Sequence, residues 1–74
     1  MQYSYKILLH KEPEGGYTVT VPALNGCVTY GENIDQAVDM AKEAIELYLE
    51  SLIAHGDPIP TEEEYFEHLV AVSV

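Results

Sequence analysis

Three short β-type segments, separated by turn residues, lead directly into one long amphipathic segment, and this order is the strongest constraint on the fold. The Gly-Gly pair at 15–16 and the Asn-Gly pair at 25–26 are turn signals, because glycine adopts the positive φ values that tight reversals need. Between them, residues 17–21 alternate across a half-buried surface and stop at Pro22. The pattern predicts a second strand over 17–21 and a third over 27–30.

The N-terminal residues predict the first strand. Apolar side chains at every second position of residues 1–10 alternate with polar ones, which is typical of a strand with one wet face, and Leu8 is the single exception. These apolar side chains are Met1, Tyr3, Tyr5, Ile7 and Leu9. Residues 11–16 contain Pro13, which cannot donate to a ladder, and we expect them to form the hairpin loop.

The long amphipathic segment predicts a helix over residues 34–55. Its apolar positions recur every three or four residues and form one broad stripe. Asn33 is a good N-cap, and Gln36 stands where a capping-box side chain reaches back to it. Gly56 is the expected C-cap, and Pro58 prevents the helix from resuming.

Beyond the helix, the sequence predicts a short second helix and a fourth strand. Thr61 and Glu64 repeat the capping-box signature, so residues 62–68 are expected to turn Tyr65 and Phe66 inward. Residues 69–74 alternate again, which indicates a strand. A right-handed crossover would place this strand beside the first and parallel to it.

The expected fold class is therefore α+β. An antiparallel three-stranded meander is followed by a crossover helix and a fourth strand, β-β-β-α-β in the order 3-2-1-4, with one main helix on one sheet face. The uncovered face is expected to be polar and able to receive a neighbour. Its expected side chains are Gln2, Ser4, Lys6, Thr18, Thr20 and Thr29.

A chain of 74 residues is one domain with a small core. At this size about 60% of the unfolded chain's surface becomes buried, so we expect at least a homodimer to add burial. A single cysteine and no signal-peptide pattern indicate a reducing, cytoplasmic location. No apolar run approaches the roughly 20 residues that a membrane span needs, so no membrane association is expected.

The net charge of -10 lies entirely in the second part of the chain. From Gly31 onward there are eleven acidic residues against the single base Lys42, whereas the charges before Gly31 cancel. Such a surface repels the phosphate backbone, so direct binding of nucleic acid is not expected and a basic protein partner fits better. The alternative is that the acids only solvate the helix.

Part of this charge is ordered along the predicted helix. At about 100° per residue, five carboxylates fall within an arc of roughly 80°, and two apolar side chains flank them outside the core stripe. We call the five carboxylates the acidic seam; they are Asp35, Asp39, Glu43, Glu46 and Glu50. With the flanking Met40 and Leu47, the seam is the predicted partner-binding surface.

The chain resembles the HicB family of antitoxins. The resemblance rests on Gly15-Gly16-Tyr17, the run VPALNGCVTYGE, the helical run QAVDMAKEAIELYLESL, and GDPIP, which follow one another from residue 14 to residue 60. It implies a partly degraded ribonuclease H fold and a protein that binds and silences a small basic HicA-type toxin that cleaves mRNA. Longer members add a DNA-binding domain, whereas residues 1–74 are expected to form a single HicB-like domain without one.

Catalysis is not expected. A ribonuclease H site takes a metal-binding carboxylate from the middle of the first strand, where this chain offers none. The three histidines, His10, His55 and His68, lack metal-ligand spacing, and the lone Cys27 has no neighbouring base. We expect no metal, no cofactor and a core role for Cys27.

Two functions follow from these features. The first is an antitoxin-like protein that binds and occludes a basic HicA-type toxin. The second is an orphan homo-oligomeric interaction module of the same fold, binding a small ligand or another protein. A neighbouring gene for a basic protein the size of one small domain favours the first.

Overall fold

The computed structural model describes residues 2–63 and 65–74. Three strands, β1 (Leu8–Lys11), β2 (Tyr17–Thr20) and β3 (Val28–Gly31), form an antiparallel sheet in the order β1-β2-β3, and one helix, α1 (Ile34–His55), follows them. The expected α+β class, the meander and the single main helix are confirmed.

β1 begins later in the chain than the sequence predicts. Leu8 pairs with Thr20, where the ladder ends: the Val21 N–H points toward the β3 side and bonds to the carbonyl of Cys27, and Pro22, which follows, has no N–H to donate to β1. Residues 2–7 therefore run beyond the end of β2 and join no strand ladder, and exposure alternates only over residues 4–7, where Tyr5 and Ile7 are half-buried. Met1, predicted to begin this strand, lies outside the described residues.

The open face of the sheet is less polar than predicted. Because directly paired residues point to the same side, Thr29, opposite the fully buried Val19, lies on the helix side and not on the open face. Thr18 and Thr20 do lie on the open face, opposite Tyr30 and Val28. The expectation was wrong for Thr29 because the register of β3 against β2 places Thr29, and not its neighbours Val28 and Tyr30, on the helix side.

Both ends of α1 are capped by local hydrogen bonds. The Asn33 side chain accepts from the N–H of Gln36 at 2.8 Å, while the Gln36 side chain accepts from the N–H of Glu32 at 2.6 Å, one residue before the predicted partner. At the other end, Gly56 has φ 71°. The N–H of Gly56 donates to the carbonyl of Ile53, and the N–H of Asp57 donates to the carbonyl of Leu52. The predicted bounds of the helix are confirmed.

The core lies between the sheet and α1 in two adjoining clusters. In the first, Val19 packs on Ala37 and Ala41, and in the second, Val21, Leu24 and Cys27 meet the C-terminal half of the helix. The helix approaches β3 most closely: a Cβ added to Gly31 would collide with the backbone of Ala37 and stand 2.8 Å from its Cβ. Small residues at this contact let the two backbones meet.

α1 lies over β3 and β2, with β1 to one side. Its flank toward β1 is consequently only partly covered: Val38 remains exposed, and Ile45 and Leu49 are half-buried against the second core cluster.

The predicted second helix and fourth strand are absent from the described residues after 61. The N–H of Tyr65 bonds to the carbonyl of Glu62 in a single turn, and Glu64, the expected capping partner of Thr61, lies outside the described residues. Tyr65 and Phe66 are exposed rather than turned inward, because the turn ends before it can close a helical face against the core. Residues 69–74 form no strand and are exposed, so the order 3-2-1-4 is not observed in this chain alone.

The close approach of α1 to β3 makes Gly31 the most sensitive position for added volume. Gly31→Ala is expected to lower the free energy of unfolding by about 1–3 kcal/mol, the range for overpacked cores, because the added methyl must displace helix backbone. Urea unfolding followed by circular dichroism measures this loss. Ser51→Ala, on the exposed side of the same helix, is the control and should change stability little; equal stability of the two variants would contradict the packing described here.

Candidate partner-binding surface

The acidic seam lies on the side of α1 that faces away from the sheet. The buried Ala37 and Ala41 fix the inward direction of the helix, and the centre of the seam lies about 180° from them at 100° per residue. All five carboxylates are exposed, and Asp35 to Glu50 extend about 22 Å along the helix at 1.5 Å per residue.

The charges of the seam form no ion pair with any other described residue. The ion pairs found in the described residues are Lys6–Glu67 at 2.9 Å and His10–Glu12 at 2.8 Å, both away from α1. Lys42, the one lysine on the helix, forms no ion pair with any described residue. The seam therefore presents a row of carboxylates to solvent.

Two apolar side chains flank the seam, as the sequence predicted. Leu47 is 61% exposed and Met40 is 37% exposed, on the helix flank between the seam and the buried stripe. An exposed apolar strip beside a charged one has the composition of a docking surface, in which apolar contact supplies affinity and charge supplies orientation. The structure thus groups all seven predicted site residues on one exposed flank of α1.

A second exposed group was missed by the sequence analysis. Leu8, Val28 and Tyr30 stand on the open face of the sheet, each about half exposed. The Tyr30 hydroxyl donates to the carbonyl of Gly15 at 3.0 Å, which holds this ring against the hairpin loop. The signal available in the sequence was Leu8, the one residue that breaks the alternation of the first strand.

The remaining chemically interesting side chains are dispersed. Cys27 is buried in the second core cluster, and burial raises the pKa of its thiol. His10 bonds to Glu12, and this hydrogen bond lowers the pKa of the Glu12 carboxyl. Among residues 2–63 and 65–74, no three His, Cys, Asp or Glu side chains are grouped to hold a metal ion, and no helix there is long and apolar enough to cross a bilayer.

The fold and the surface define a small α+β domain with three antiparallel strands and one long helix that has an acidic outer face. Residues 5–72 match the family described as the HicB_like antitoxin of bacterial toxin-antitoxin systems. The chain belongs to this family.

Relatives from distant organisms share most of the domain. A UPF0150 protein of Synechocystis sp. is 48% identical over 61 residues, covering 82% of this chain and 77% of the relative. A UPF0150 protein of Thermoplasma acidophilum is 45% identical over 56 residues, covering 76% and 81%. An uncharacterized 14.9 kDa protein of Haemophilus phage HP1 is 34% identical over 56 residues, which are 76% of this chain but 41% of the relative.

Burial of Cys27 predicts a protected thiol. Alkylation of Cys27 should be at least about 100-fold slower in the native chain than in the chain unfolded in urea. The reason is that labelling requires local unfolding of the core, which costs a few kcal/mol. Mass spectrometry of timed aliquots follows the reaction. An exposed thiol introduced as Ser51→Cys in a Cys27→Ala background should react at the unfolded rate, and equally rapid labelling of native Cys27 would contradict its core position.

Proposed function

We propose that this chain is an antitoxin that binds a small basic HicA-type mRNA-cleaving toxin through the acidic seam, Met40 and Leu47, and inhibits it by occlusion. Family membership supports the antitoxin role. The observation that supports the proposed surface is the row of exposed carboxylates, which form no ion pair among residues 2–63 and 65–74.

The proposed recognition is electrostatic. A protein that cleaves mRNA must attract a phosphate backbone and therefore carries positive charge around its substrate site. On the seam, neighbouring carboxylates stand one helical turn apart, where like charges repel and weaken an isolated helix by a few tenths of a kcal/mol per pair. A cationic partner relieves this repulsion when it binds, so the arrangement favours complex formation more than it favours the free helix.

The proposed inhibition requires no chemistry from this chain. β1, from which a ribonuclease H site would draw a carboxylate, reads Leu-Leu-His-Lys. Occlusion needs only a surface of sufficient length, and the 22 Å of the seam (1.5 Å per residue) approaches the width of a small domain. Met40 and Leu47 would then enter the partner's apolar surface beside its basic groups.

Reversing charges on the seam tests the proposal. The triple variant Asp39→Lys, Glu43→Lys and Glu46→Lys should weaken binding of a HicA-type toxin by about 10- to 100-fold, since each exposed pair contributes about 0.2–1 kcal/mol and each reversal also adds repulsion. The salt dependence of binding should fall as well. Titration calorimetry at two ionic strengths measures both quantities.

A matched control separates position from net charge. Glu14→Lys, Asp57→Lys and Glu63→Lys also change the net charge from -10 to -4, but at exposed positions outside the seam. Binding by this control should remain within a few-fold of the original chain. Equal weakening in both variants would contradict the seam as the binding surface, and unchanged binding in both would contradict electrostatic recognition.

The orphan interaction module is the second candidate. The gene neighbourhood separates the two functions, because an antitoxin requires an adjacent reading frame for a basic protein of about 60 to 90 residues, the size of one small domain. Co-expression should yield a copurifying pair and restore growth inhibited by that neighbour. If no such neighbour exists, the homo-oligomeric module is favoured.

A further inference from the structure

A small hollow beside the open face of the sheet is lined by two aromatic side chains. We call it the aromatic hollow: Tyr65 and Phe66 line it from the turn at residues 62–67, and Leu8 and Pro22 line it from the sheet. Tyr65 is 59% exposed and Phe66 is 90% exposed, so both rings are accessible to a ligand. The volume of about 310 Å³ is at the lower end of the range for ligand pockets and suits one side chain better than a cofactor.

Three contacts fasten the segment that carries these rings to the N-terminal part of the chain. The Tyr5 hydroxyl donates to the carbonyl of Pro60 at 2.5 Å. The backbone N–H of Lys6 donates to a side-chain oxygen of Glu62, and the Lys6 amine pairs with Glu67 at 2.9 Å. The two rings therefore lie between anchored positions before a ligand arrives, which lowers the conformational entropy that binding costs.

Two carboxylates of the aromatic hollow can accept further hydrogen bonds. Glu62 and Glu67 both line it, and each contacts Lys6 through Oε1 alone. An ionised carboxylate has a second oxygen and about four lone-pair sites in all. The hollow holds one base against two acids, in a chain of net charge -10. It therefore attracts a cation and repels an anion.

Rings and carboxylates together favour arginine among the possible occupants. A guanidinium lies flat on an aromatic ring while its fork of N–H groups reaches a carboxylate in the same plane. A lysine ammonium is a compact, strongly hydrated charge that gains less from the ring. A purely apolar side chain would remove water from Glu62 and Glu67 without supplying hydrogen-bond donors.

The aromatic hollow continues into the exposed apolar group of the open sheet face. Leu8 lines the hollow and stands in one cross-strand row with Thr20 and Val28. Leu8 is 59% exposed and Val28 is 58% exposed. The row spans two strand spacings, about 10 Å, which is the length of about three extended residues. A segment that places an arginine in the hollow can therefore lay its next residues on this row.

We propose that the aromatic hollow binds an arginine side chain from an extended segment of a protein partner, and that Leu8 and Val28 receive apolar residues next to that arginine. The open face lies on the opposite side of the sheet from α1, so this site is separate from the acidic seam. It does not depend on the proposed toxin contact.

Titration of the full chain with short peptides tests the proposal. The probes are acetyl-Arg-Val-Leu-amide and the same peptide with citrulline, which keeps the shape of arginine without its charge. In nuclear magnetic resonance spectra, the arginine peptide should shift the ring signals of Tyr65 and Phe66 and the amide signal of Leu8. The citrulline peptide should bind about 10-fold more weakly. Shifts confined to α1, or equal affinity for the two peptides, would overturn the proposal.

Two matched carboxamide variants separate a binding role of Glu67 from a structural one. Glu67→Gln should bind the two peptides with nearly equal affinity, because the charge that distinguishes them is lost. Glu63→Gln removes the same charge from an exposed position outside the hollow and should keep the discrimination. If Glu67→Gln weakens both peptides equally, or if both variants keep the discrimination, the carboxylate does not recognise arginine and the proposal is wrong.

Phe66→Leu tests the ring itself. The substitution keeps an apolar side chain at a 90% exposed position, so the fold should be unchanged by circular dichroism. The affinity for the arginine peptide should fall about 3- to 10-fold, because leucine offers no aromatic face. Unchanged affinity in this variant would contradict the stacking that the proposal requires.

Discussion

The close contact between α1 and β3 determines most of this structure. Gly31 and Ala37 let the two backbones approach within the distance that a single methyl group would occupy, and Ala41 continues the same contact over Val19. Larger side chains here would lift the helix from the sheet and open the first core cluster. Because only small residues point inward at the start of α1, its rotation about its own axis is fixed, and with it the direction of every other side chain on the helix.

Two surfaces follow from that contact. The rotation of α1 turns the five carboxylates of the seam directly away from the sheet, where no described base neutralises them. The displacement of α1 toward β3 leaves the β1 side of the domain open, beside the point where the C-terminal segment departs.

Local sequence signals were sufficient to predict α1, β2 and β3. The bounds of α1 followed from its cap residues and its apolar period, and β2 and β3 followed from their turns. β1 was placed too early because its extent depends on where its partner β2 stops, and β2 ends at Thr20, just before Pro22. The phase of β3 and the exposed Leu8, Val28 and Tyr30 depend on cross-strand register, which periodicity alone does not supply.

The C-terminal prediction differed for another reason, since a strand pattern reports that a segment suits a sheet but not which strand it pairs with. The seam was found because helical geometry converts sequence spacing into a surface; its partner remains our proposal. Amide chemical-shift mapping of the isotopically labelled chain on addition of a HicA-type toxin tests that proposal most directly. The account predicts perturbations that cluster along the exposed flank of α1 from Asp35 to Glu50, and perturbations confined to the open sheet face around Leu8 and Val28, with α1 unchanged, would contradict it.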